Sequence, residues 1–195
     1  MRRKLFVTLS ALGLLLPGLS FAEIVHVGKP RDSACTASCD LRWPNLKVPP
    51  AWHQELAFSL ANNLNFLVPD DESESVGIYG MAVEASRGAA TLTDFIAQER
   101  TRFSASTSGV ASQTSSGLII RDGEAMTNLD GMSLTTLVFE PQLGGNWDTT
   151  VYAEDKDSDG RRYYITITLS APTRAAREIF TPVLKQVIAG YHLDR

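Results

Sequence analysis

Residues Arg161 to Ser170 alternate without interruption: Tyr163, Ile165, Ile167 and Leu169 share one side, and Tyr164, Thr166 and Thr168 the other. A period of two belongs to a β-strand. Beyond Pro172 the period changes, and Ala176, Ile179, Phe180, Val183, Leu184, Val187, Ile188 and Tyr191 recur at helical spacing as one apolar stripe. A strand face and a helix stripe bury their apolar surface only against another layer, so the pair demands a sheet with a helix packed on it. The whole stripe is therefore expected to be core. Gly190 is a natural helix stop, and Pro182 breaks the hydrogen-bond ladder, which predicts a kink or two abutting helices.

The remaining chain supplies the other strands. Leu56, Phe58 and Leu60 alternate, Ala61-Asn62-Asn63 offers turn chemistry, and Leu64, Phe66 and Val68 alternate again, which predicts a β-hairpin. Val76 to Val83 reads as a strand near the sheet centre, weakened by Gly77 and Gly80. Thr91 is placed to cap a helix with Asp94 in its first turn and Leu92, Phe95, Ile96 and Phe103 on one face. Ser104 to Gly117 is nearly all Ser, Thr, Ala and Gly, the composition of a mobile loop. Three apolar runs follow, separated by Asp122-Gly123 and Asp130-Gly131, both read as hairpin turns. A strand from Trp147 to Ala153 is joined by an acidic turn to the strand at Arg161.

The expected fold is α+β, an antiparallel sheet with two main helices packed on it. Between Trp52 and Tyr191 the pattern resembles the PsbP-like family, whose bacterial members include DcrB-like periplasmic proteins. The likeness is carried by Leu64-Asn65-Phe66-Leu67-Val68-Pro69 in the early strand pair, by Thr91 to Phe103 after a strand, and by Tyr163 to Ser170 with its helix. It implies an α/β/α sandwich and a binding, assembly or accessory role without a shared catalytic centre, and it transfers no functional residue.

The first residues carry an address. Arg2-Arg3-Lys4, an apolar run from Leu5 to Leu16, and the small-x-small site at Ser20-Phe21-Ala22 form a secretory signal peptide, with cleavage expected between Ala22 and Glu23. The run is shorter than the roughly 20 apolar residues of a membrane span. Residues 1–22 are thus read as the signal, 23–50 as an extended, proline-punctuated arm, and 51–195 as a single domain in the periplasm. Of 18 Lys+Arg and 22 Asp+Glu, the signal removes three bases and no acid, leaving a distinctly acidic chain. Nucleic acid and anionic lipid both want a basic face, so neither is an expected partner, and no membrane span is expected after cleavage. Cys35 and Cys39 in the arm are expected to close a local disulfide. CxxxC is neither the thioredoxin motif nor, without a nearby His, a zinc site.

Catalytic signatures do not emerge. His26, His53 and His192 are scattered, and the metalloprotease, nucleophile-elbow and phosphate-loop motifs are missing from the sequence. Asp155, Asp157, Asp159 and Gly160 match the start of a calcium loop, but the twelfth position, where a bidentate Glu belongs, is Thr166. A plain acidic hairpin turn is the expected reading, with no metal and no cofactor. Trp43, Trp52 and Trp147 are candidates for interface anchors. The expected function is a periplasmic, non-enzymatic binding or accessory protein that docks another envelope protein or a small ligand. Two rival classes stand beside it: an immunity protein covering the basic site of a periplasm-targeted toxin, and a hydrolase whose His53 or His192 meets Ser and Asp only in space.

Overall fold

A computed structural model describes residues 43–71, 75–85, 89–106, 117–142, 144–156 and 160–192. Its centre is an antiparallel sheet of eight strands: β1 (Trp52–Gln54), β2 (Asn65–Pro69), β3 (Gly77–Glu84), β4 (Leu118–Asp122), β5 (Met126–Thr127), β6 (Ser133–Pro141), β7 (Trp147–Lys156) and β8 (Arg162–Ala171). Their spatial order is β1-β2-β3-β8-β7-β6-β4, with β5 also pairing β6. The three helices are α1 (Leu56–Asn62), α2 (Leu92–Ser106) and α3 (Arg174–Ala189). The fold is α+β, as the alternation of periods requires.

The two longer helices cover opposite faces. Tyr163, Ile165, Ile167 and Leu169 of β8 join Val151 and Ala153 of β7 in the larger core, closed by Leu184, Val187 and Ile188 of α3. Leu137, Phe139 and Tyr152 form a second core beneath Leu92, Phe95, Ile96 and Phe103 of α2. Phe95 stacks on Tyr164, the residue that alternation puts on the opposite side of β8 from Tyr163 and Ile165. The cap of α2 forms as its sequence prescribes: the Asp94 amide donates to Thr91 Oγ1 at 3.1 Å, and the Thr91 amide donates to Asp94 Oδ2 at 3.1 Å. At α3 the Ala176 amide donates to Thr173 Oγ1 at 3.1 Å.

Several expectations are corrected. Leu56 to Asn62 is a short helix, not a strand, and it ends at Asn63 in the left-handed conformation (φ 56°). The strand that pairs with β2 is instead β1, with Trp52 opposite Pro69. Asp122-Gly123 is no hairpin, because β4 and β5 run on in the same direction along β6 and the Gly123 amide donates to Thr136 O at 2.8 Å. Asp130-Gly131 does reverse the chain, with Gly131 at φ 75°. Helix α3 passes through Pro182 as one element, so two abutting helices do not form. Ile179 is 65% exposed, which removes it from the core stripe. The core also reaches into the expected arm: Leu46 is completely buried, and Asn65 Nδ2 donates to Pro44 O at 3.2 Å. Gly80 makes that crossing possible, since a Cβ there would stand 2.5 Å from Pro44 Cγ.

Candidate ligand-binding groove

Helix α2 covers the half of its sheet face that lies towards β7 and β4. The other half, over β1, β2, β3 and the end of β8, is floored by side chains that alternate with core residues. Phe66 and Val68 flank the buried Leu67, and Gly77 and Tyr79 flank the buried Ile78. Helix α1 leans on this floor and forms one wall, with the Phe58 ring centroid 4.7 Å from that of Phe66. Opposite stand Asn146 and Ser170, joined by a hydrogen bond in which Asn146 Nδ2 donates to Ser170 Oγ at 3.0 Å. Together with Glu55, Leu64 and Val76, these residues enclose a groove of about 520 Å³. That volume and largely apolar lining suit a small molecule, whose sites run roughly from 300 to 1,000 Å³.

The inner end of the groove is polar. Ser170 lies opposite Asp148 in the β7–β8 ladder and hydrogen-bonds its carboxylate. Burial holds the Asp148 carboxyl above its ordinary range, with the Ser170 bond opposing, and Asp148 Oδ1 is buried with no hydrogen-bond partner among the described residues. Tyr79 bonds Thr168, and its phenol is pushed up to about 12, first by burial and then by the Asp148 charge. It is therefore a proton donor at neutral pH and not a base. The Thr168 hydroxyl continues to Thr150 at 2.9 Å, and the neighbouring Tyr152 phenol, likewise raised by burial, has a buried, unpartnered oxygen. Asp148 Oδ1, next to the groove-lining Ser170, is an orphaned polar atom, which costs about 1–3 kcal/mol.

At the rim His53 Nδ1 of β1 lies 2.9 Å from Oδ1 of Asp70, the residue after β2, both side chains exposed. His192 pairs instead with Asp130 at 2.8 Å, on the β5–β6 turn. The two histidines are thus held on different elements. Ser75 and Ser170 line the groove with His53, but the hydrogen bond of His53 goes to Asp70, and Ser170 is engaged by Asn146 and Asp148.

The other sequence candidates fall elsewhere. Ala22, Glu23, His26, Cys35, Cys39, Asp157 and Asp159 lie outside the described residues. Asp155 is buried at the end of β7 opposite Tyr163, with its Oδ1 accepting from the Lys156 amide at 2.7 Å, and Thr166 is mid-strand between Met81 and Tyr152. Among the described residues no group of three or more His, Cys, Asp or Glu is placed to hold a metal, and no helix is long and apolar enough to cross a membrane. Trp43 and Trp52 are packed in the interior, and Trp147 is half-buried. Trp43 is buried and donates from Nε1 to Asn63 Oδ1 at 3.3 Å, Trp52 is buried edge-on to Phe180 at 5.7 Å, and Arg177 sits over the Trp147 ring at 5.3 Å. Tyr79, Phe66, Asp148, Asn146 and Ser170 escaped the sequence reading. The one signal for them was Gly77 inside a strand, which marks a close approach.

What fold and site define is an α+β protein with an open apolar groove at one end of its sheet. No family model and no curated protein matches the chain.

Proposed function

We propose that the chain is an exported, non-enzymatic binding or accessory protein of the PsbP-like kind, which works in the periplasm by holding a small, largely apolar ligand. The observation that carries this reading is the groove over β2 and β3: a volume of about 520 Å³, an apolar floor, and polar groups gathered at one end and at the rim. Such a distribution orients an amphipathic molecule, with burial supplying affinity and the few polar groups supplying direction. The exposed apolar side chains of α1 support it too. Leu56, Phe58 and Leu60 are 43%, 46% and 42% exposed, and Phe58 belongs to the groove wall.

Protein purified from the periplasm and extracted with organic solvent tests the reading. Mass spectrometry is expected to find a small apolar molecule that is missing from extracts of Val68→Trp, whose indole fills the floor. Extracts of wild type and variant that match in every component contradict it.

A further inference from the structure

We infer that the groove selects a small amphipathic cation, an alkyl- or arylammonium whose apolar body lies along Phe58, Phe66 and Val68 and whose head sits beside Glu55. The inference rests on the groove being a ligand site and names the class of ligand it takes.

Charge is the first argument. None of the described lining residues is Lys or Arg, whereas Glu55 is a carboxylate. Glu55 stands at the N-cap of α1 yet makes no side-chain capping bond, so α1 does not occupy its carboxylate. The imidazole of His53 is engaged by Asp70, and Arg102, whose charge reaches Tyr79 from α2, is engaged by Glu99 at 2.8 Å. An anionic head placed here meets the Glu55 carboxylate and finds no Lys or Arg among the described lining residues to pair with it, and an unpaired buried charge is strongly unfavourable. A cationic head meets attraction from Glu55, strengthened by the low dielectric of a half-enclosed site.

Aromatic surface is the second argument. Phe58, Phe66 and Tyr79 all line the groove, and the Phe58 and Phe66 rings are tilted 40° to one another. Ring faces so gathered attract alkylammonium groups in addition to burying their chains.

Matched eight-carbon probes separate charge from apolar burial. Calorimetric titration of the mature protein with octyltrimethylammonium is expected to give a dissociation constant at least about tenfold below that of octanoate, the ratio that about 1.4 kcal/mol produces, with neutral 1-octanol between them. The variant Glu55→Gln is expected to lose the preference for the cation, whereas Ile179→Ala, outside the groove, is expected to keep it. Octanol bound without any cation preference, or octanoate bound more tightly, overturns the inference and leaves the groove a ligand site. Failure of all three probes to bind overturns both.

Discussion

The ring of Phe66 lies directly over the α-carbon of Gly77 on the neighbouring strand, so that a Cβ at Gly77 would stand 2.7 Å from Phe66 Cζ. Glycine here is what lets an aromatic ring lie flat as the groove floor. Because the obstructing atoms belong to the far end of a side chain, the ring has somewhere to go.

Gly77→Ala is therefore expected to displace Phe66 towards Phe58 and to weaken binding of an apolar probe by about tenfold or more. Stability should change by no more than about 1–2 kcal/mol, within the range of a modest overpacking. Binding and chemical denaturation measured on the same preparation check it. A variant that unfolds at much lower denaturant concentration contradicts the account of Phe66 as a mobile floor.

The α3 stripe divides sharply between burial and exposure. Leu184→Ala and Ile188→Ala remove completely buried side chains and are expected to cost about 2–5 kcal/mol each. Ile179→Ala removes a side chain that is 65% exposed and should cost less than about 1 kcal/mol. Urea unfolding followed by circular dichroism distinguishes them, and equal costs contradict the packing described.

Asp148 gives stability an unusual dependence on pH. Its folded-state pKa is raised above the ordinary 3.8 by burial, so the folded state binds its proton more tightly than the unfolded chain does. With fewer protons bound to the unfolded state, the contribution of this group falls as pH rises through the window above 3.8. Glu124 and Glu154, held low by Lys185 and Arg162, run the other way and lose their contribution as pH falls. Asp148→Asn is expected to raise the melting temperature at pH 7 by about 2–4 °C, on the order of 1 kcal/mol, and the gain should shrink towards pH 4. A gain that is constant across pH, or a loss at pH 7, contradicts the assignment.

Strand β8 and helix α3 were legible because each keeps one period over its length, and the Thr91–Asp94 cap because its partners are three residues apart. Helix α1 was not legible. Over seven residues a helix shows barely two turns, and Leu56, Phe58 and Leu60 satisfy an alternation template while standing exposed on a helix. The left-handed Asn63 after it was the available clue. Ile179 was misplaced because spacing defines a stripe but not its edge against solvent. The groove was hidden for a different reason: Phe66, Tyr79, Asn146 and Ser170 come from β2, β3, the residue before β7 and the end of β8, and only strand order brings them together. No local pattern encodes that order.

The expected disulfide and cleavage site are checked by mass. Protein from the periplasm should begin at Glu23 and weigh less than its reduced form by the pair of thiol hydrogens on Cys35 and Cys39. Free thiols in native material contradict the staple.

The central claim is that the groove over Phe66 and Tyr79 receives an apolar ligand. Its most direct test is the fluorescence of the neutral probe N-phenyl-1-naphthylamine titrated into the mature protein, wild type beside Val68→Trp. The account predicts a saturable, one-to-one enhancement for wild type, with Val68→Trp folded to the same melting temperature and its enhancement abolished. Equal enhancement by both proteins, or none by wild type, contradicts it.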